Sequence, residues 1–142
     1  MGKLFLDTVR KDGWMPVEFN YPSEKLKEAA EAFLDFCMLP QEEKDSIHHF
    51  LYEGDPVSQI GYFRRARAAG SYDDKEVWHH HIRANDVFLG NVTYKNSKTA
   101  SFVRHAEGIL LKGIEVLKHV LAEFEEEYPG LTEQYLPKGN AP

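Results

Sequence analysis

Residues 99 to 128, TASFVRHAEGILLKGIEVLKHVLAEFEEEY, decide the fold of this chain. No proline interrupts them, and their apolar residues recur at three- and four-residue spacing, which predicts one long helix with a wide apolar stripe. The stripe consists of Phe102, Val103, Ala106, Ile109, Leu110, Ile114, Leu117, Val120, Leu121 and Phe124. Part of the stripe also fits a heptad, at Val103, Ala106, Leu110, Leu117, Val120 and Phe124. Gly113 interrupts one seam position of that heptad, which favours a helix that faces a core over an isolated coiled coil. Pro129 and Gly130 then end the helix.

Shorter helices are predicted upstream. Ser23 can cap the first of them, whose apolar spacing extends for about four turns and ends near Met38. Pro40 suits the first position of a second, short helix that fades around residues 49 to 52. Residues 14 to 19 mix aromatic and β-branched side chains and predict a short strand, which their proline confines to a sheet edge.

Two further segments predict extended structure, residues 58 to 63 and residues 76 to 83. Residues 131 to 136 predict one more helical turn after the long helix. Together the segments predict an α+β fold that is mainly helical, with two N-terminal helices, a few short strands and a long C-terminal helix. We expect a single domain over residues 1–142, with a flexible tail at residues 137–142.

Composition excludes several classes of function. The net charge of −6 repels phosphate backbones, so we expect no nucleic-acid partner. The chain has no run of eighteen apolar residues and no signal-peptide pattern, which predicts no membrane association and a cytoplasmic location. The lone Cys37 cannot form an internal disulfide, and its apolar neighbours favour a small buried side chain over a reactive thiol. No glycine-rich phosphate loop, Gly-x-Ser-x-Gly turn or Cys-x-x-Cys pair is present.

Seven histidines raise the question of a metal site. On a strand, His79 and His81 share one face, and with a third ligand from elsewhere they would hold a metal ion. The alternative is an edge strand with solvated imidazoles, because two ligands specify little. Glu76 and His79 have the spacing of di-iron bundles, but that motif requires a helix and this segment is predicted to be extended.

Two other metal patterns lie in the long helix. His105 and Glu107 match the His-x-carboxylate part of the non-haem iron triad. Residues two apart on a helix project about 200° apart, so these two side chains cannot clasp one ion there. Glu115 and His119 do share a helix face, but the alternative of an ordinary surface pair is favoured because polar neighbours four apart are routine.

A basic cluster is a candidate anion-binding site. Arg64, Arg65 and Arg67 carry guanidinium groups, which bind carboxylates and phosphates bidentately. The alternative is that they pair with the acidic residues at positions 73, 74 and 76, which follow closely in the chain.

The order of these features resembles the N-terminal region of the isopenicillin-N-synthase-like family of Fe(II)- and 2-oxoglutarate-dependent oxygenases. Asp12-Gly13-Trp14 is similar to the family's Asp-Gly-Phe-Phe strand. Residues 32 to 44, AFLDFCMLPQEEK, resemble its Phe-Phe-x-Leu-Pro-x-Glu-Glu-Lys signature, which is the most specific part of the match. Gly61-Tyr62-Phe63 resembles its Gly-Tyr strand, and residues 74 to 78, DKEVW, its Asp-x-Lys-Glu stretch. The helix that contains residues 102 to 124 lies where the family has the helix that supports its barrel.

The resemblance implies a non-catalytic portion of an oxygenase-like protein, truncated or free-standing. In the family, the iron ligands and the arginine that anchors 2-oxoglutarate lie in a β-helical barrel after the long helix, whereas only residues 129 to 142 follow Tyr128 here. No catalytic or cofactor-binding residue is therefore carried over, and Fe(II) and 2-oxoglutarate are expected only if a downstream barrel exists. The alternatives are a small binding or assembly module that self-associates through the apolar helix surface, and a histidine-based metal-binding protein.

Overall fold

The computed structural model describes residues 2–50, 52–53, 58–65, 75–84 and 96–136. In chain order the helices and strands are α1 (Gly2–Asp12), α2 (Ser23–Cys37), α3 (Gln41–Asp45), β1 (His48–Phe50), β2 (Gln59–Arg65), β3 (Lys75–His79), α4 (Ser97–Glu125) and α5 (Leu131–Tyr135). The predicted class, α+β and mainly helical with a long C-terminal helix, is confirmed. None of the described helices is long and apolar enough to cross a membrane.

The three strands form one antiparallel sheet with β2 in the centre. Gly61 lies opposite His48 on one side and His79 on the other. Side chains alternate along β2, so that Ile60 and Tyr62 point into the core, where they are 3% and 1% exposed. The sheet therefore presents one apolar face to the helices.

The core is an aromatic cluster between the sheet, α2 and α4. Phe36 lies at its centre, fully buried, with its ring centroid 5.2 Å from that of Phe102, 5.7 Å from that of Tyr62 and 5.8 Å from that of Trp78. Phe33 adds a further ring 5.0 Å from Phe102. These contacts fix α2 and the first turns of α4 against the sheet.

The two ends of α4 are anchored differently. At its start, the Asn96 side-chain oxygen accepts a hydrogen bond from the backbone N–H of Lys98 at 2.9 Å, which caps the helix. Near its end, α1 packs on the helix through Phe5, whose ring meets Phe124 edge to face at 5.4 Å. The Glu125 carboxylate then accepts the backbone N–H of Thr132 at 2.8 Å, which ties α4 to α5.

Several local predictions were wrong. Residues 14 to 19 form no strand, because a strand needs a neighbouring strand to pair with and no described strand adjoins them. The short second helix ends at Asp45, and residues 48 to 50 pair with β2 instead. Pro22, not Ser23, occupies the cap position of α2, and the Ser23 hydroxyl donates to Glu24.

The remaining differences concern the two ends of the chain. The sequence interpretation did not anticipate α1, although Phe5 and Leu6 pack inward from it. The predicted flexible tail at residues 137–142 lies outside the described residues.

Candidate functional site

A buried polar cluster, the Lys44 cluster, joins α2, α3, β2 and β3. It contains Cys37, Gln41, Lys44, Tyr62 and Glu76. Lys44 is 4% exposed, and its Nζ donates to the Cys37 carbonyl at 2.8 Å and to Oε1 of Glu76. The Tyr62 hydroxyl donates to the same Glu76 oxygen at 2.8 Å, and Gln41 donates to the Tyr62 oxygen at 3.3 Å. Because Cys37 is the last residue of α2, Lys44 also satisfies a carbonyl at that helix end.

The cluster holds its charges rather than exchanging protons. Burial acts to raise the pKa of Glu76, but hydrogen bonds from Lys44, Cys37 and Tyr62 outweigh it and leave the pKa below its ordinary value. Burial opposes the charge of Lys44 as well, yet Glu76 and Tyr62 raise its pKa overall. Burial, followed by Glu76, raises the pKa of the Cys37 thiol to about 12. At neutral pH the thiol is protonated and unreactive, and the cluster acts as a structural brace.

A second feature is an open groove of about 640 Å³, here called the aromatic groove. Its floor is the first half of α4, and α2 and β3 form its walls. The lining residues are Leu26, Ala29, Ala30, Phe33, Glu76, Val77, Trp78, His80, Phe102, Ala106, Ile109 and Leu110. The groove is thus mostly apolar, with one carboxylate and one imidazole.

The imidazole of the groove is neutral. Burial lowers the pKa of His80, and the nearby Glu107 carboxylate only partly opposes this. Its Nδ1 accepts the indole N–H of Trp78 at 3.2 Å, so in the neutral ring the proton resides on Nε2.

A third feature is the middle of the α4 stripe, here called the α4 shelf and defined by Leu110, Gly113, Ile114 and Leu117. All four residues are half-buried, whereas Phe102 is 6% exposed on the same stripe. A Cβ added at Gly113 would meet no atom within 4 Å, so the backbone faces open space there. The shelf therefore lets another element approach the helix closely.

The histidine pair is not arranged as the sequence indicated. His79 ends β3 and packs edge to face on Phe63, with ring centroids 4.5 Å apart. His81 lies beyond the strand, in a turn where the N–H of Ala84 bonds to its carbonyl at 2.8 Å. Its Nδ1 accepts the N–H of Arg83 at 3.1 Å. The prediction of a shared strand face was wrong because this turn ends the strand, and the metal pair remains a hypothesis.

The two metal patterns of the long helix, at residues 105 and 107 and at residues 115 and 119, both lie on α4. His105 and Glu107 both lie within α4, so they project to different sides of one helix. Glu115 accepts a hydrogen bond from Lys112 at 2.8 Å, as an ordinary surface pair does. Among the residues that the structure describes, no group of three His, Cys, Asp or Glu side chains is placed to hold a metal ion.

The arginine cluster is only partly described. Arg64 is exposed on β2, opposite Glu76 in the sheet register, and Arg65 lies opposite Lys75. Arg67 and the acidic residues 73 and 74 lie outside the described residues. The Glu76 carboxylate contacts Lys44 and Tyr62 in the Lys44 cluster. Anion binding by this cluster stays a prediction.

Sequence reasoning missed the Lys44 cluster, and it predicted an uncovered apolar surface on the long helix without locating that surface at the α4 shelf. In the sequence alone, Lys44 has the character of a solvated charge in a short helix; the packing of α3 against α2, β2 and β3 buries it. Gly113 did carry a signal, because a glycine on an apolar stripe in mid-helix weakens the helix unless close packing needs it.

Comparisons of the chain with protein-family models, with curated proteins and with solved structures found no match.

Proposed function

We propose that this chain is the non-catalytic support portion of a Fe(II)- and 2-oxoglutarate-dependent oxygenase-like protein, and that a catalytic barrel packs on the α4 shelf. The observation that carries the proposal is the half-covered middle of an otherwise continuous apolar stripe. Phe102 at its start and Leu121 near its end are buried, while Leu110, Ile114 and Leu117 between them are only half-buried. Apolar surface of this kind gains free energy when a further element covers it.

The order of the elements supports the oxygenase assignment. Helix α2 ends at Cys37, just before Leu39-Pro40, and α3 contains the Glu-Glu-Lys of the resembling signature. Gly61 and Tyr62 lie on β2, and Lys75 and Glu76 begin β3. The resembling positions are thus structural, since Lys44, Tyr62 and Glu76 meet in the buried brace.

The described residues do not fit an iron site, since no three ligand side chains converge among them. In the proposal, Fe(II) and 2-oxoglutarate belong to the barrel, and no chemical step is assigned to this chain. The chain contributes a rigid surface: the aromatic core holds α4 against the sheet, and α4 supports what packs on it.

The test begins with the reading frame that encodes the protein in its source. We expect it to continue past Pro142 with a His-x-Asp pair, a distal His and an Arg in a segment of alternating hydrophobicity. The product of the full frame should then form succinate from 2-oxoglutarate in the presence of Fe(II), and residues 1–142 should not. A stop codon directly after Pro142 would exclude a covalently linked barrel, and turnover by residues 1–142 alone would contradict a non-catalytic role.

A second candidate function is a self-associating assembly module. It is favoured by Leu34 on α2 and by Met38 directly after that helix, which are four residues apart and 65% and 82% exposed. Adjacent apolar side chains at such exposure are typical of an interface. In this case a two-fold pair is the simplest assembly.

Light scattering over a wide concentration range tests this candidate. Self-association predicts a mass that rises to twice the chain mass, and Met38→Glu should abolish the rise. Gln134→Glu adds the same charge at an exposed position of α5 and should leave the rise intact. A constant monomer mass at every concentration would rule the candidate out.

A further inference from the structure

The aromatic groove has the composition of a ligand site with a definite charge preference. Its volume of about 640 Å³ lies within the range of small-molecule pockets. Among the described residues, its lining includes no Lys or Arg, and the ionisable side chains are Glu76 and His80. In this part of the groove a ligand would therefore meet an apolar surface with a negative group and no positive one.

The ion pair of the Lys44 cluster places a negative charge, and not a positive one, beside the aromatic groove. Glu76 lines the groove and keeps 28% of its side chain exposed, whereas Lys44 is buried behind it and does not line the groove. The negative end of this ion pair thus faces the groove, and the positive end faces the core. Beside the groove, Glu107 is close enough to His80 to act on its pKa, and the neutral His80 ring adds no positive charge.

The aromatic side chains favour the same sign of charge. Trp78 and Phe33 both line the groove and both contact Phe102, with ring centroids 5.1 Å and 5.0 Å from that of Phe102. A cation held over an aromatic face is attracted by the ring quadrupole, and this attraction strengthens as water is excluded. An anion would meet repulsion from the Glu76 and Glu107 carboxylates.

We propose that the aromatic groove binds an apolar organic cation, an aryl or alkyl amine whose hydrocarbon body rests on Trp78 and Phe102 and whose ammonium group approaches Glu76. All the groups involved belong to this chain. The site therefore goes beyond the support function proposed above and does not depend on it.

Binding is measurable through Trp78. The chain has two tryptophans, and Trp14→Phe removes the other, which is exposed. Three probes share a cyclohexyl body, which neither absorbs nor emits light in the range of tryptophan, and differ in charge at pH 7: cyclohexylmethylamine, cyclohexylmethanol and cyclohexanecarboxylate. We expect the amine to bind about tenfold or more tightly than the carboxylate, with the alcohol between them. No change in Trp78 emission, or equal affinities for amine and carboxylate, would overturn the proposal.

A pair of matched substitutions places the probe. Ala30 is exposed and lines the groove, so Ala30→Phe should fill the mouth and reduce amine affinity about tenfold or more. Ala122 is equally exposed on α4 and does not line the groove, so Ala122→Phe should leave affinity unchanged. Equal effects of the two variants would show that the probe binds elsewhere.

Two further variants test whether Glu107 and the Lys44–Glu76 ion pair cause the preference for the amine. Glu107→Gln should weaken amine binding several-fold while leaving the alcohol unaffected. The double variant Lys44→Met with Glu76→Gln removes the ion pair without leaving one charge unpaired, and it should bring the amine and alcohol affinities together. Circular dichroism confirms that each variant is folded before titration. An amine preference that survives in both folded variants would contradict the assigned source of the selectivity.

Discussion

The first turns of α4 and its middle carry the same kind of side chain but have different surroundings. Phe102 and Val103 are 6% and 2% exposed, because α2 and the sheet close over them. Leu110, Ile114 and Leu117 continue the stripe and are only half-buried. The comparison shows that an apolar pattern identifies the face of a helix that packs against other elements. How completely that face is buried depends on which elements the chain places beside it. A partner that packs on the middle of α4 would complete the burial of these three side chains.

The largest expected difference in unfolding free energy is between side-chain truncations to alanine in the first turns of α4 and in its middle. Phe102→Ala should destabilise the chain by about 3–5 kcal/mol, because it leaves a cavity in the aromatic core. Leu117→Ala should cost about 1–2 kcal/mol, since part of its side chain is already in water and less apolar surface is lost than at a fully buried position. Urea unfolding of both variants measures the difference. Equal losses would mean that the shelf is as fully packed as the core.

The next largest effect on stability is expected from the ion pair of the Lys44 cluster. Lys44→Met leaves the Glu76 carboxylate without its cation, and we expect a loss of about 2–3 kcal/mol, below that of a fully buried pair because Glu76 is partly exposed. The double variant with Glu76→Gln should recover most of this loss. A single variant as stable as the parent chain would show that the pair contributes no net stability.

The same brace predicts a dependence on pH. The pKa of Glu76 is lowered in the folded chain, so its contribution is fully present above its ordinary value of 4.5. The contribution is lost as the pH falls below 4.5 and through the lower folded pKa. The stability difference between the parent chain and Glu76→Gln should therefore shrink over this acidic window. A difference that stays constant from pH 7 down to acid unfolding would contradict a charged brace.

The smallest effect comes from two glycines of α4. Gly113→Ala should stabilise the isolated chain by about 0.5–1 kcal/mol, because alanine favours a helix and its Cβ meets no atom within 4 Å. At Gly108 a Cβ would lie 2.8 Å from the Tyr21 hydroxyl oxygen, so Gly108→Ala should lose this gain. Thermal unfolding compares the two variants. A destabilised Gly113→Ala chain would mean that the position is already covered.

The elements that sequence predicts well are those with a complete local pattern. The spacing of apolar residues defined α4 and α2, and β-branched and aromatic runs indicated β2 and β3. Short segments were predicted less well, because pairing decides them: residues 48 to 50 become β1 only because β2 lies beside them. The Lys44 cluster lay beyond local reasoning, since Lys44, Tyr62 and Glu76 come from three elements that pack together only in the fold.

The most direct test of the shelf is hydrogen exchange along α4, measured on residues 1–142 and on the product of the full reading frame. If a barrel packs there, the amides of residues 110 to 117 should exchange about tenfold or more slowly in the longer protein, because docking raises the free energy of local opening. The amides of Phe102 and Val103, already in the core, should change little by comparison. Equal exchange of residues 110 to 117 in both proteins would contradict the account.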